Sequence, residues 1–247
     1  ELAYLVLTQR MSFNSPVWFN VGTDIYESTR SFEKKDGFIL KDGKAVEIPI
    51  GENHLYPQTS ACFIQDVQDN MEDIMDLAKR EAMLFKHGSG TGTDLSTLRS
   101  SKEKLSGGGK PSGPLQYLVF YDKVAGIVKS GGKTRRAAKM NSLKMTHPDI
   151  KEFIESKVKE QKKIELLMDN GIDGREAIET VSFQNVNISV RANDEFMRAV
   201  ENDLEWQTIP VHNKDLINEM PRYKAKELFR LIAEGTYKCG DPGIQFD

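Results

Sequence analysis

Between Gln58 and Glu234 the chain alternates short apolar runs of strand length with longer runs of helical period, and glycine-rich punctuation falls between them. Such alternation commits a chain to an α/β fold, because helices laid on a sheet bury both kinds of apolar face at once. Residues 58–65 read as a short buried strand carrying Cys62. Met71 to His87 places Ile74, Met75, Ala78, Ala82 and Phe85 on one helical face, and Gly88 stands where that helix should stop. The stretches 88–98 and 107–113 read as flexible loops around a strand, after which Pro114 opens a helix through Lys129 that the pair Gly131 and Gly132 ends. Beyond a basic loop, helices start near Pro148 and run through Lys162, a strand spans 181–190, and helices follow over 193–200 and 221–234.

The first sixty residues are less regular. A helix opens the chain (Leu2, Leu5, Val6, Gln9), and residues 12–22 mix aromatics with Asn, Ser and Pro in loop chemistry. Phe38 and Leu40, then Asp42-Gly43, then Val46, Ile48 and Ile50 alternate around a turn, the pattern of a β-hairpin. The chain starts inside a helix without a methionine and closes in no recognisable element, so both ends are expected to be cut.

The 34 basic and 37 acidic residues leave a formal charge of -3, so no global field gathers nucleic acid or an anionic membrane, and any anion site must be local. Apolar stretches fall short of the roughly 18 residues a membrane span needs. Two distant cysteines supply neither a disulfide framework nor a structural zinc site, which suits a reducing cytosol. The four histidines (His54, His87, His147, His212) lack metal-ligand spacing, so no metal site is expected. His147, just before Pro148, suits a helix start better than a catalytic base.

Lys129, Lys133, Arg135, Arg136, Lys139 and Lys144 fall in one stretch without an acid, beside two glycines that let backbone amides approach an anion. A phosphate-bearing ligand and a solvated basic loop both fit that pattern. Gly132-Lys133-Thr134 is no P-loop, since position 127 is Ile where the motif needs glycine and an apolar helix precedes it. The glycines at 88, 90 and 92 have the wrong spacing for a dinucleotide fingerprint. Cys62 reads either as an inert buried thiol or as a reactive one.

FNSPVWFN at 13–20, SACFI at 60–64, GSGTGTDLSTLR at 88–99, GGKTRRAAKM at 131–140, ETVSFQNVNISV at 179–190 and CGDPGIQFD at 239–247 together resemble, in order, the large subunit of ribonucleotide reductases. Their wording is most similar to the adenosylcobalamin-dependent class, over Leu2 to Asp247. The resemblance implies part of a ten-stranded α/β barrel, the first half-barrel and the start of the second. It implies an oxidoreductase that converts ribonucleoside diphosphates or triphosphates to 2′-deoxyribonucleotides by thiyl-radical chemistry. Cys62 would be the first of two reducing thiols, with its partner not Cys239 but a residue further along the polypeptide. Ser15, Ala61, Cys62 and Gly90 would line the substrate pocket. Asp69 would hold the ribose hydroxyl of a deoxynucleoside triphosphate effector and Arg99 its phosphates. Residues 107–113 and 131–140 would be specificity loops, the second with Lys133, Arg135 and Arg136. A homodimer through the helices at 71–87 and 114–129, a thioredoxin-type reductant and a cytoplasmic setting are further implications.

The family's radical site, an Asn-x-Cys-x-Glu run, does not occur in these residues. The segment alone is therefore expected to turn over no nucleotide. Two other readings of the same motifs are a reductase of the diiron or glycyl-radical class and a non-catalytic deoxynucleotide-binding module.

Overall fold

The computed structural model describes residues 1–14, 17–18, 38–49, 52, 56, 60–104, 107–128 and 138–247. They form two compact units, Glu1–Cys62 and Phe63–Asp247. Ser15, His54, Lys133, Arg135, Arg136 and the Gly131–Gly132 pair lie outside the described residues.

In the first unit, α1 (Leu2–Leu7) is followed by the expected hairpin of β1 (Phe38–Lys41) and β2 (Lys44–Glu47), with Leu40 opposite Ala45 and Lys41 opposite Lys44. Asp42 and Gly43 take φ of 50° and 74°, both positive as a two-residue hairpin turn of matching twist requires. Its alternating apolar residues stay open, with Phe38 and Leu40 exposed and Ile48, just past β2, buried.

The second unit is built on a five-stranded sheet of order β3–β4–β5–β6–β9, in which β4 (Gly90–Asp94), β5 (Ala138–Lys144), β6 (Val186–Ala192) and β9 (Gly243–Phe246) run parallel. The edge strand β3 (Cys62–Gln65) crosses the boundary between the units. Between the strands come α2 (Met71–Lys86), α3 (Gly113–Ile127), α4 (Ile150–Asp169), α5 (Gly174–Thr180), α6 (Asp194–Glu201) and α7 (Ala225–Cys239). A short antiparallel ribbon, β7 (Glu205–Gln207) with β8 (Arg222–Lys224), precedes α7. The α/β class read from the sequence is the one observed.

The sheet is two-faced. In β6, buried Val186, Ile188, Val190 and Ala192 alternate with more open Asn187, Ser189 and Arg191. Register carries the division across the sheet, because Lys139, Asn141 and Leu143 pair with Val186, Ile188 and Val190. The core beneath that face joins Leu143, Ile188 and Val190 to Leu77, Leu118, Phe153, Phe196 and Leu228 of the helices. Each such Leu or Phe, fully withdrawn from water, contributes about 1.5–3 kcal/mol.

Several boundaries differ from the sequence reading, each for a physical reason. Gly90–Asp94 is a strand, not a loop. Thr91 and Thr93 turn towards α2, and the glycines put no side chain on the opposite face. β5 occupies what reads as a basic loop, because Lys139 turns inward to Glu81. The strand expected over 181–190 begins only at Val186. Buried Asp122 accepts the N–H groups of Phe183 (2.9 Å) and Asn185 (2.7 Å), holding Phe183 at φ 64° in a tight turn. Residues 222–224 pair with 205–207, so the last helix starts at Ala225 and runs to Cys239. α4 continues to Asp169, and α3 stops at Ile127, short of the glycine pair. On α2 it is Leu77 and Glu81, not Met75, that point inward.

Candidate functional site

The head of α2 is built by its capping residues. Asn70 is the N-cap, its side chain accepting the N–H of Asp73 at 2.9 Å, and Glu72 and Asp73 complement the positive helix end. Gly88, at φ 77°, closes the other end as expected. Asp69 immediately precedes the cap. The segment entering this turn is tied to the one leaving β4, since Thr97 Oγ1 donates to the carbonyl of Val67 at 2.6 Å.

Arg99 lies between two anchored backbone groups. The carbonyl of Leu98 accepts from His147 Nε2 at 2.9 Å, and the N–H of Ser100 donates to Glu103 at 3.0 Å. So held, Arg99 Nε donates to Asp69 Oδ2 at 2.5 Å. His212 Nε2 reaches the same oxygen at 2.6 Å. The two residues singled out thirty positions apart in the sequence therefore meet, and the structure adds His212, which sequence reasoning had set aside as an isolated histidine. No local pattern signals it, because what places it is Glu103, whose carboxylate accepts the N–H groups of Val211, His212 and Asn213.

His147 is structural. Its Nδ1 accepts the N–H of Asp149 at 3.1 Å, so Nε2 carries the proton given to Leu98. Burial holds its pKa below the ordinary 6.5, which keeps the ring neutral. It stands just before α4, as the sequence suggested.

The face of the sheet turned away from the helices carries small and polar side chains. Gly92, Met140 and Asn187 are neighbours in register, as are Asp94, Ser142, Ser189 and Gly243, and Gly90 lies two residues before Gly92 on the same side of β4. A methyl group on Gly92 would sit 3.2 Å from Ile64 Cδ1 and 3.7 Å from Met140 Cε, which places Ile64 of β3 on that face. Cys62 shares its side of β3 with Ile64 by strand alternation and is exposed, contrary to the expected buried strand. An edge strand turning one face away from the helices leaves that face uncovered. Ala61 is buried. Asn187 and Ser189, which the alternation of β6 marks, and Ser142 of β5 were missed in the sequence.

At the carboxyl end of this face Arg191 bridges Asp94 (2.5 Å) and Asp247 (2.7 Å). Cys239 lies at the end of α7, its thiol directed to the carbonyls of Gly235 and Asp241. Among the described residues, no group of three or more His, Cys, Asp and Glu side chains converges as a metal site, and no helix is long and apolar enough to cross a membrane.

A parallel sheet with its helices packed on one face and small or polar residues on the other defines an α/β protein. Residues 60–247 match the family described as ribonucleotide reductase, barrel domain, and the chain belongs to that family. It is 52% identical over 256 residues to a vitamin B12-dependent ribonucleotide reductase of Rhodopirellula baltica, which covers 100% of this chain and 24% of that protein. A protein of the same name from Streptomyces clavuligerus is 47% identical over 250 residues, covering 100% of this chain and 23% of the relative. A vitamin B12-dependent ribonucleoside-diphosphate reductase of Thermoplasma acidophilum is 36% identical over 191 residues, 76% of this chain and 22% of that protein. The chain thus spans about a quarter of the length of the first two relatives.

Proposed function

We propose that this chain is a segment of the barrel domain of a cytoplasmic ribonucleotide reductase, one that binds nucleotides and supplies one of the two electron-donating thiols. The observation that carries the reading is the exposed Cys62 on the side of β3 that Ile64 presents beside glycine-lined β4. In the proposed reaction the 2′-hydroxyl of a ribonucleoside diphosphate leaves as water. Cys62 and a second thiol from elsewhere in the polypeptide become a disulfide, which balances the two electrons and two hydrogens delivered. A thioredoxin-type dithiol then restores the pair. Ser15, Ala61 and Gly90 are assigned to the nucleotide substrate as well.

Asp69 and Arg99 are assigned to a deoxynucleoside triphosphate effector, the carboxylate accepting a ribose hydroxyl and the guanidinium facing phosphate. Lys133, Arg135 and Arg136 are assigned to the loop that reports the bound base. Met71, Met75 and Met83 on α2 and Ile127 at the end of α3 are exposed apolar side chains, which supports pairing of these helices across a homodimer.

Adenosylcobalamin belongs to the proposal through the names of the relatives. Among the described residues His147 has both ring nitrogens engaged and His212 lies on Asp69, so neither is placed to ligate cobalt, and no step assigned to this chain passes through the cofactor.

The test is the full-length protein carrying Cys62→Ser, assayed for deoxynucleotide formation with and without adenosylcobalamin and a dithiol. Loss of product with effector binding kept is the expected result. Undiminished turnover overturns the assignment of Cys62, and turnover independent of adenosylcobalamin overturns the cofactor.

A further inference from the structure

His212 stands outside every motif that marks the candidate site, yet its imidazole lies 2.6 Å from Asp69 Oδ2, the oxygen Arg99 also holds at 2.5 Å. The Asp69 side chain is 10% exposed, whereas His212 is 52% exposed, so the histidine packs over the carboxylate from the solvent side. Its backbone is not free to drift, because Glu103 accepts three successive N–H groups across residues 211–213 at 2.9–3.3 Å. Two donors converging on Oδ2 fix the plane of the carboxylate and turn Oδ1 to whatever approaches. A carboxylate already oriented loses less rotational freedom when it accepts one more hydrogen bond.

We propose that His212 is a positioning residue for Asp69, presenting its second oxygen to a ribose hydroxyl of a bound nucleoside triphosphate. The inference rests on the reading of Asp69 as the hydroxyl acceptor. It adds the segment around His212, through Glu103, to the parts of the protein that set the strength and selectivity of that contact.

The experiment measures binding of each deoxynucleoside triphosphate and its 2′,3′-dideoxy counterpart to the full-length protein, wild type, His212→Ala and His212→Gln. Wild type should prefer the hydroxyl-bearing ligand. His212→Ala should weaken that ligand by about three- to tenfold, because the Asp69 carboxylate loses one of the two donors that orient it, and leave the dideoxy ligand unchanged. His212→Gln, which returns an N–H donor, should recover part of the difference. Because the side chain is half in solvent, thermal unfolding should be the same in all three, and a purely structural role would instead weaken both ligands alike. If wild type discriminates and His212→Ala discriminates equally, the role of His212 is overturned while that of Asp69 stands. If wild type does not discriminate at all, the reading of Asp69 falls and this inference falls with it.

Discussion

Glu103 accepts the backbone N–H of His212 at 2.9 Å, joining segments 109 positions apart in the chain. Its other oxygen takes Ser100 and Val211 at 3.0 and 3.1 Å, so both oxygens are filled by backbone donors. A carboxylate suits this turn because it has only acceptors to offer. Glu103→Gln keeps the shape but turns an amide NH2 group towards backbone N–H groups, leaving buried donors unmatched. Unfolding in urea should show a loss of about 2 kcal/mol, and an unchanged midpoint would mean that residues 211–213 are held by something else.

Acid should destabilise the fold in two stages. Burial lowers the pKa of His147 from 6.5, so the unfolded chain takes up that proton first and the stability His147 contributes fades as pH falls below 6.5. For Glu103 burial acts to raise the pKa, but hydrogen bonds from Ser100, His212, Val211 and Asn213 outweigh it and bring the value below 4.5. Its contribution is present above 4.5 and is lost as pH falls through the folded-state value. Melting temperatures taken from about pH 7.5 down to about pH 3.5 should therefore fall in both ranges. In His147→Gln the upper step should shrink, and its persistence at full size would assign the transition to another group.

How far the sequence carried the fold can be seen at particular residues. The head and tail of α2 were legible because Asn70 and Gly88 act locally, through capping and backbone freedom. β4 and β5 were not. Glycines normally mark loops and lysines normally mark solvent, and here Gly92 lets Ile64 of β3 pack close against the strand while Lys139 meets a glutamate from another element. At the site, Asp69 and Arg99 were found through likeness to a family, and their contact was visible only once Thr97 and His147 were seen to fix the intervening backbone. His212 depends on a turn closed by Glu103, a relationship between distant segments that no local pattern encodes.

Two glycines with positive φ should respond very differently to one methyl group. Gly171 has φ 86° and nothing within 4 Å of an added Cβ, so Gly171→Ala should cost about 1–2 kcal/mol, from backbone strain alone. Gly113 has φ 73°, and a Cβ there would lie 2.9 Å from the Ser101 backbone nitrogen and 3.0 Å from Asp149 Oδ2. Those two atoms are hydrogen-bonded to each other at 2.8 Å and cannot easily part. Gly113→Ala should therefore cost more than about 3 kcal/mol. Equal losses in denaturant titrations of the two variants would show that the loop before α3 relaxes around the methyl group.

The interior ion pair between α2 and β5 should be strongly non-additive. The ammonium of Lys139 is bound to Glu81 Oε1 with both side chains fully shielded from solvent, and it lies 4.7 Å from the centre of the Tyr121 ring. Burial lowers the Lys139 pKa while Glu81 acts to raise it, and the lowered value shows which effect is larger. Thr91 adds a hydroxyl donor to the same glutamate oxygen at 3.0 Å, whereas Oε2 meets no donor among the described residues. Removing the cation alone leaves a buried carboxylate without its counter-charge, so Lys139→Met should cost about 3–5 kcal/mol. Replacing both partners in Glu81→Leu/Lys139→Met removes the stranded charge and should recover much of that loss. Recovery should stop short of wild type because the Thr91 hydroxyl then loses its acceptor. If the double variant is as unstable as the sum of the single ones, the pair contributes through packing and not through charge compensation.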